Sequence, residues 1–153
     1  MNKRTSGQRQ TKRRTAEQNR VGTKTTARQA ISHENDCITF SFANIDRDGQ
    51  FAFDPSKIDA CELLETLIEL STMKWSELNK SKGKTRHHPL EVSSLSAAAK
   101  ERIKYRRLEE DVDALFSFRI NGRKRLIGLR YGATFHVIWY DAKHGFSISK
   151  DRK

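Results

Sequence analysis

Long apolar runs are missing from this 153-residue chain, and no stretch approaches the roughly 20 apolar residues that a membrane-spanning helix requires. The N-terminus is basic but carries no apolar run of about 7 to 15 residues behind it, which argues against a secretory signal of the usual kind. Cysteine is scarce. Cys37 and Cys61 are the only two, and without histidines at suitable spacing they do not make a structural zinc site. Both read as small buried hydrophobes in a reducing compartment, so a cytoplasmic location is expected. The glycine-rich phosphate loops and the Gly-x-Ser-x-Gly elbow are absent too. Nucleotide hydrolysis and acyl transfer lose their usual support.

Acidic residues are outnumbered, with 30 Lys and Arg against 19 Asp and Glu and a formal net charge of +11. A field of that sign attracts polyanions, and nucleic acid is the first partner to consider. Residues 1–36 hold nine basic and three acidic side chains, or +6, which leaves +5 (21 minus 16) for the rest. Val21 and Ile31 are the only large aliphatic residues in that segment beyond Met1. So little apolar surface cannot offset the entropy of ordering, and a disordered basic tail is expected over 1–36. Such a tail serves either as a nucleic-acid arm that releases counterions or as a solubilising terminus.

Residues 37–153 read as one domain. Ile38, Phe40 and Phe42 alternate with polar residues, the period of a half-buried strand. Asp54-Pro55 supplies an N-cap and a first-turn proline for a helix running to about Ser71. Its Ile58, Cys61, Leu64, Leu67 and Ile68 share one face, which is expected to pack on a sheet. A short second helix over about 73–80 turns Trp75 and Leu78 inward. The loop Lys82 to Arg86 follows, with Lys84 and Arg86 as candidate RNA contacts. His87 to Val92 is a short strand that Pro89 confines to a sheet edge. Ala97 to Asp111 is helical but polar on most sides, an excursion expected to be mobile or ordered by a partner.

Three strand-like runs close the chain: Ala114 to Ile120, Arg125 to Tyr131 and Thr134 to Tyr140. Asn121-Gly122 is a hairpin signal, because both central positions of a type I′ turn need positive φ. The expected fold is α+β, a small twisted antiparallel sheet with two N-terminal helices packed on one face.

Several motifs dissolve on inspection. Asp46-Arg-Asp48-Gly49 lacks the later oxygen ligands of a calcium loop and reads as a hairpin turn between Phe42 and Phe51. His87-His88 has no carboxylate or cysteine nearby at ligand spacing. Strand alternation puts His136 and Asp141 on opposite faces if the last strand is regular, so a triad with His144 requires a bend. What remains is basic and aromatic: Arg119, Arg123, Lys124, Arg125 and Arg130, followed by Tyr131, His136, Tyr140 and His144. Arginines hold phosphates and aromatics stack bases on an RNA-binding sheet. Metal-free RNA cleavage needs the same kinds of group: a proton acceptor, a cation beside the phosphorane and a proton donor.

The order strand, helix, helix, C-terminal meander resembles the RelE/ParE toxin superfamily, especially its YoeB-like branch. Lys124-Arg125-Leu126-Ile127 and Val137 to His144 occupy the places of its penultimate-strand and last-strand motifs. The resemblance implies ribosome-dependent cleavage of messenger RNA, with no metal or cofactor and with an antitoxin as protein partner. It implies Arg119 and Arg125 as phosphate and transition-state contacts, and His144 with Tyr140 for proton transfer. Lys84, Arg86, Arg123, Lys124, Arg130 and Tyr131 would hold the RNA. Gly145 stands where the branch has Tyr, and its general-base Glu has no clear counterpart. The competing reading is a noncatalytic nucleic-acid- or partner-binding protein of a phage or mobile element, using tail and sheet together.

Overall fold

The structure, a computed structural model, describes residues 32–78 and 87–148. Residues 1–31 of the expected tail, together with Lys84 and Arg86, lie outside the described residues. Eight elements frame the domain: β1 (Thr39–Ser41), α1 (Ala60–Ser71), α2 (Trp75–Leu78), β2 (His87–Pro89), α3 (Ala97–Tyr105), β3 (Leu115–Asn121), β4 (Lys124–Tyr131) and β5 (Thr134–Asp141). Among the described residues no helix is long and apolar enough to cross a membrane.

The sheet runs in the order β1-β5-β4-β3-β2. β2 through β5 are antiparallel, as the sequence implies, but β1 lies parallel to β5, so the sheet is mixed. A hairpin forces antiparallel pairing, whereas β1 is separated from β5 by almost the whole domain and is free to run either way. β2 sits at the edge that Pro89 demands. The domain also starts earlier than Cys37. Glu34 and Asp36 carbonyls accept from Ser76 N–H at 2.7 Å and Trp75 N–H at 3.2 Å, which ties the last residues of the expected tail to α2.

Helices cover both faces of the sheet, not one. The first face buries Phe116, Phe118, Leu126, Phe135 and Val137 beneath Leu63 and Leu70 of α1 and Trp75 and Leu78 of α2. The second buries Leu115, Ile127, Leu129, Ile138 and Trp139 beneath Ala99 and Ile103 of α3, with Phe51 and Phe146 alongside. The segment expected to be an ordered-on-demand excursion is therefore part of the core. Its apolar pattern is faint because only two inward residues, four apart, make the contact, and an ionic anchor supplies the rest. Asp46 is 1% exposed and receives a forked pair from Arg102 at 2.6 and 2.7 Å, and the Trp139 indole N–H at 2.9 Å. Burial pushes the Asp46 carboxyl up, but the bonds from Arg102, Trp139 and the Asp48 N–H outweigh it and hold the pKa below the usual carboxylate value. Residues 46–49 accordingly do not form a hairpin turn between two strands.

On α1 the inward face is only partly the one the spacing suggests: Ile58 and Leu67 do pack against the core. Leu63 and Leu70 are buried, while Leu64 and Ile68 are each 57% exposed and Cys61 is exposed. A 3-10 turn at Pro55–Lys57, N-capped by Asp54, breaks off at Ile58, and Asp59 starts a second, independent helix with its own cap. That interruption takes Ile58 out of the helix, while within it Leu63, Leu67 and Leu70 form the stripe that meets the core. Cys37 is exposed as well, so neither thiol is a core residue.

Two irregularities tune the strands. The β3–β4 loop is Gly122-Arg123, one residue later than the sequence signal, with Gly122 at φ 53°, and the offset leaves Ile120 unpaired as a bulge. In β5 the partners Ile127↔Trp139 and Gly128↔Val137 leave Ile138 unpaired. This second bulge shifts the alternation, so that Phe135 and Val137 face α1 while Trp139 faces α3. Gly128 lies opposite, where a Cβ would come within 1.9 Å of the His136 carbonyl oxygen.

Gly128→Ala should therefore destabilise the fold by about 3 kcal/mol or more, since backbone must move to admit the methyl, and urea unfolding will measure it. Asp46→Asn should cost about 3 kcal/mol at neutral pH by stranding Arg102. Because the Asp46 pKa is depressed on folding, its contribution is full above the unfolded value and vanishes as pH falls through the folded one. Urea midpoints across the carboxylate range should fall less steeply in the Asn variant than in wild type.

Candidate functional site

The register aligns three charged residues across neighbouring strands. Arg119 on β3 pairs with Arg125 on β4, which pairs with Asp141 on β5. Directly opposed residues hold their Cβ atoms about 4.5–5.5 Å apart, so two guanidinium stems stand side by side. Neither has a carboxylate in ion-pair contact among the described residues. Arg125 donates only to backbone, to the Gly122 carbonyl at 2.8 Å and the Lys124 carbonyl at 3.0 Å. Burial and then the Arg119 charge lower its pKa, with Asp141 opposing. Like charges brought together without a counterion form a place for an anion.

Asp141 is 3% exposed and is fully engaged in shaping the turn that follows β5. Its carboxylate accepts the N–H of Gly145 at 3.0 Å and of Phe146 at 2.9 Å. The loop so closed puts His144 at φ 58°, a left-handed conformation that His adopts more readily than most residues. There the imidazole sits within the fields of Arg125, Asp141, His88 and Arg123. Burial first, then Arg125, hold its pKa below the ordinary histidine value. His88 comes from β2: His87 packs on Phe118 of the first face at 5.3 Å, and alternation turns His88 to the other side. Its Nδ1 donates to the Pro89 carbonyl at 2.8 Å, leaving Nε2 for another partner.

Other expected members lie elsewhere. Tyr140 is 8% exposed and belongs to the α1 face, in the fields of Lys124 and Glu62, with burial raising its pKa. The Ile138 bulge sets the phase in which Tyr140 points away while Asp141 joins the arginines. The same bulge gives His136 and Asp141 a common phase, against the regular-strand expectation, though five residues still separate them. Lys124 bonds Glu62 at 2.6 Å, and Asn121 bonds the other oxygen at 2.9 Å, so both pin the hairpin to α1. Arg130 bonds Glu34 at 2.8 Å and stacks 3.9 Å above Trp75. Tyr131 donates to Asp111, and burial with that carboxylate pushes its pKa up to about 12. Arg123 is exposed on the turn beside the site and remains suited to a phosphate.

The constellation is thus Arg119, Arg125, Arg123, His144 and His88, shaped by Asp141. His88 was hard to assign from sequence because a His-His pair does not show which ring faces inward. Among the described residues no three His, Cys, Asp or Glu side chains gather in a metal-ligating group.

Replacing Arg125 by Ala should raise the His144 pKa, because the neighbouring positive charge disfavours the imidazolium. An NMR titration of the ring protons reads the shift directly. Compared with protein-family models, with curated proteins and with solved structures, the chain matches none.

Proposed function

We propose that this chain binds RNA at the Arg119–Arg125 end of its sheet and cleaves it by metal-independent transesterification, as a toxin-like, ribosome-associated endoribonuclease acting on messenger RNA. The observation that carries the reading is the in-register pair of guanidinium groups, free of carboxylate ion pairs among the described residues, beside an imidazole held in a left-handed turn. The two motifs that resemble the RelE-like branch support it by falling on adjacent antiparallel strands.

In this mechanism the scissile phosphate lies between Arg119 and Arg125, whose charges stabilise the phosphorane. His144, with its depressed pKa, is neutral at neutral pH and takes the proton from the ribose 2′-hydroxyl. The 2′ oxygen bonds phosphorus, and the bond to the 5′ oxygen breaks. His88, when protonated, gives its proton to that leaving oxygen through Nε2, so a cyclic 2′,3′-phosphate and a free 5′-hydroxyl result. Tyr140 takes no part in the transfer. An antitoxin protein is the partner this reading implies.

The second reading, noncatalytic binding of nucleic acid, is favoured by one observation: the tyrosine expected to move protons lies on the opposite face. Primer extension on a message translated in a purified system separates the two. Wild type should give discrete ribosome-dependent cuts, reduced about 100-fold or more in Arg125→Ala and in His144→Ala. Arg125→Lys should also lose activity, since a point charge does not replace the forked guanidinium. Intact message with wild type would overturn cleavage and leave the binding reading.

A further inference from the structure

A cavity of about 230 Å³ opens at the C-terminal end of β5, between the 50–58 loop and the turn that carries His144. It sits on the β1 side of that strand, where the Tyr140 N–H donates to the Phe51 carbonyl at 3.0 Å, while Arg125 flanks the other side. Its lining includes Phe51, Ile58 and Tyr140 as apolar wall, Gln50 as an exposed amide, the Asp54 and Asp141 carboxylates, and two cations, of which Lys57 pairs with Asp54 at 3.9 Å and Lys143 has no carboxylate ion pair among the described residues. The volume falls short of the roughly 300 Å³ at which sites for drug-sized ligands begin, so one ring system is the natural occupant. An apolar slot, an amide with both donor and acceptor, and the Lys143 ammonium at the rim together match the chemistry of a nucleotide: a flat base with a hydrogen-bonding edge, and a phosphate. Gly145 lines the slot, and a Cβ there would make ordinary contacts at 3.8 Å to Phe51 Cε1 and 4.0 Å to Gln50 Nε2.

We propose that this pocket is a nucleobase subsite, which receives a base of the RNA strand whose phosphate lies at Arg119 and Arg125, and so sets sequence preference. The inference deepens the RNA reading and rests on it. The two sites share the Asp141–Gly145 turn, so a base seated on one side of β5 fixes which phosphate reaches the arginines on the other. Lys143 holds the neighbouring phosphate as a point charge, Lys57 balances Asp54, and Gln50 reads the base edge.

The test compares binding of short oligo(A), oligo(C) and oligo(U) by fluorescence anisotropy to wild type, to Ala52→Leu, which fills the slot from its wall, and to Gln50→Ala, an exposed change that leaves the fold alone. Wild type should prefer one homopolymer by about tenfold, the size of a single base–aromatic stack. Both variants should lose that preference while keeping the salt dependence of the phosphate contacts. Preference unchanged in both folded variants would overturn the pocket and leave the RNA reading standing. Should wild type bind no RNA, the RNA reading falls, and nucleoside monophosphates then probe the pocket by NMR. Shifts confined to the amides of Gln50, Lys143 and Gly145 would uphold the nucleotide site alone, and their absence into the millimolar range would overturn it.

Discussion

Asp46 is the carboxylate on which the second half of the fold rests. It is buried against the sheet, and its two oxygens collect the guanidinium of Arg102 and the indole of Trp139, with Arg106 at 3.5 Å. One side chain therefore joins three segments distant in sequence: the loop after β1, helix α3 and strand β5. A buried charge pair gains little over an apolar substitute, but losing one member is costly, so the network specifies position more than it adds stability. Without it the buried contacts of α3 would be those of Ala99 and Ile103, with Ala98 partly buried beside them. The loop it secures also forms one wall of the pocket at the end of β5.

Much of the architecture was legible because it follows from local rules. The three C-terminal strands show their alternation, Pro89 marks an edge, and Trp75 and Leu78 point inward as a short amphipathic turn should. What escaped was what depends on partners far along the chain. The polar look of α3 hid a core helix because its anchor is ionic, and Asp46 reads locally as a turn residue. The exposed stripe of Leu64 and Ile68 misled because Leu63, Leu67 and Leu70 form an equally helical stripe beside it, and only contact with the sheet decides which is buried. The parallel placement of β1 leaves no trace in composition at all.

For the site, residue types were readable but grouping was not. Arg119, Arg125 and His144 do converge, whereas Tyr140 is turned away by a single unpaired residue, Ile138. A one-residue bulge reverses the facing of everything after it, and no propensity scale marks where one falls. The nearest signal was Gly128, an interior strand glycine, which often means a bulge or a close backbone approach. Lys124 and Arg130 looked like RNA contacts because basic residues on a basic protein are assumed to face solvent. Both instead have carboxylate partners, Glu62 and Glu34, supplied by distant elements.

The pairing of β1 with β5 also governs when the molecule is able to fold. Thr39 meets Thr134 across 95 residues, so the first strand made waits for the last. Until β5 has left the ribosome, Ile38 and Phe40 have no sheet to join, and the loop bearing Asp46 has no Trp139 to receive. A nascent chain shortened by even the final hairpin strand lacks part of both faces of the core, since β5 contributes to each. Closing such long loops slows folding and postpones it until β5 has been made. The basic end of the sheet is assembled only after β5 and the turn beyond it have been made, because Asp141 and His144 lie there.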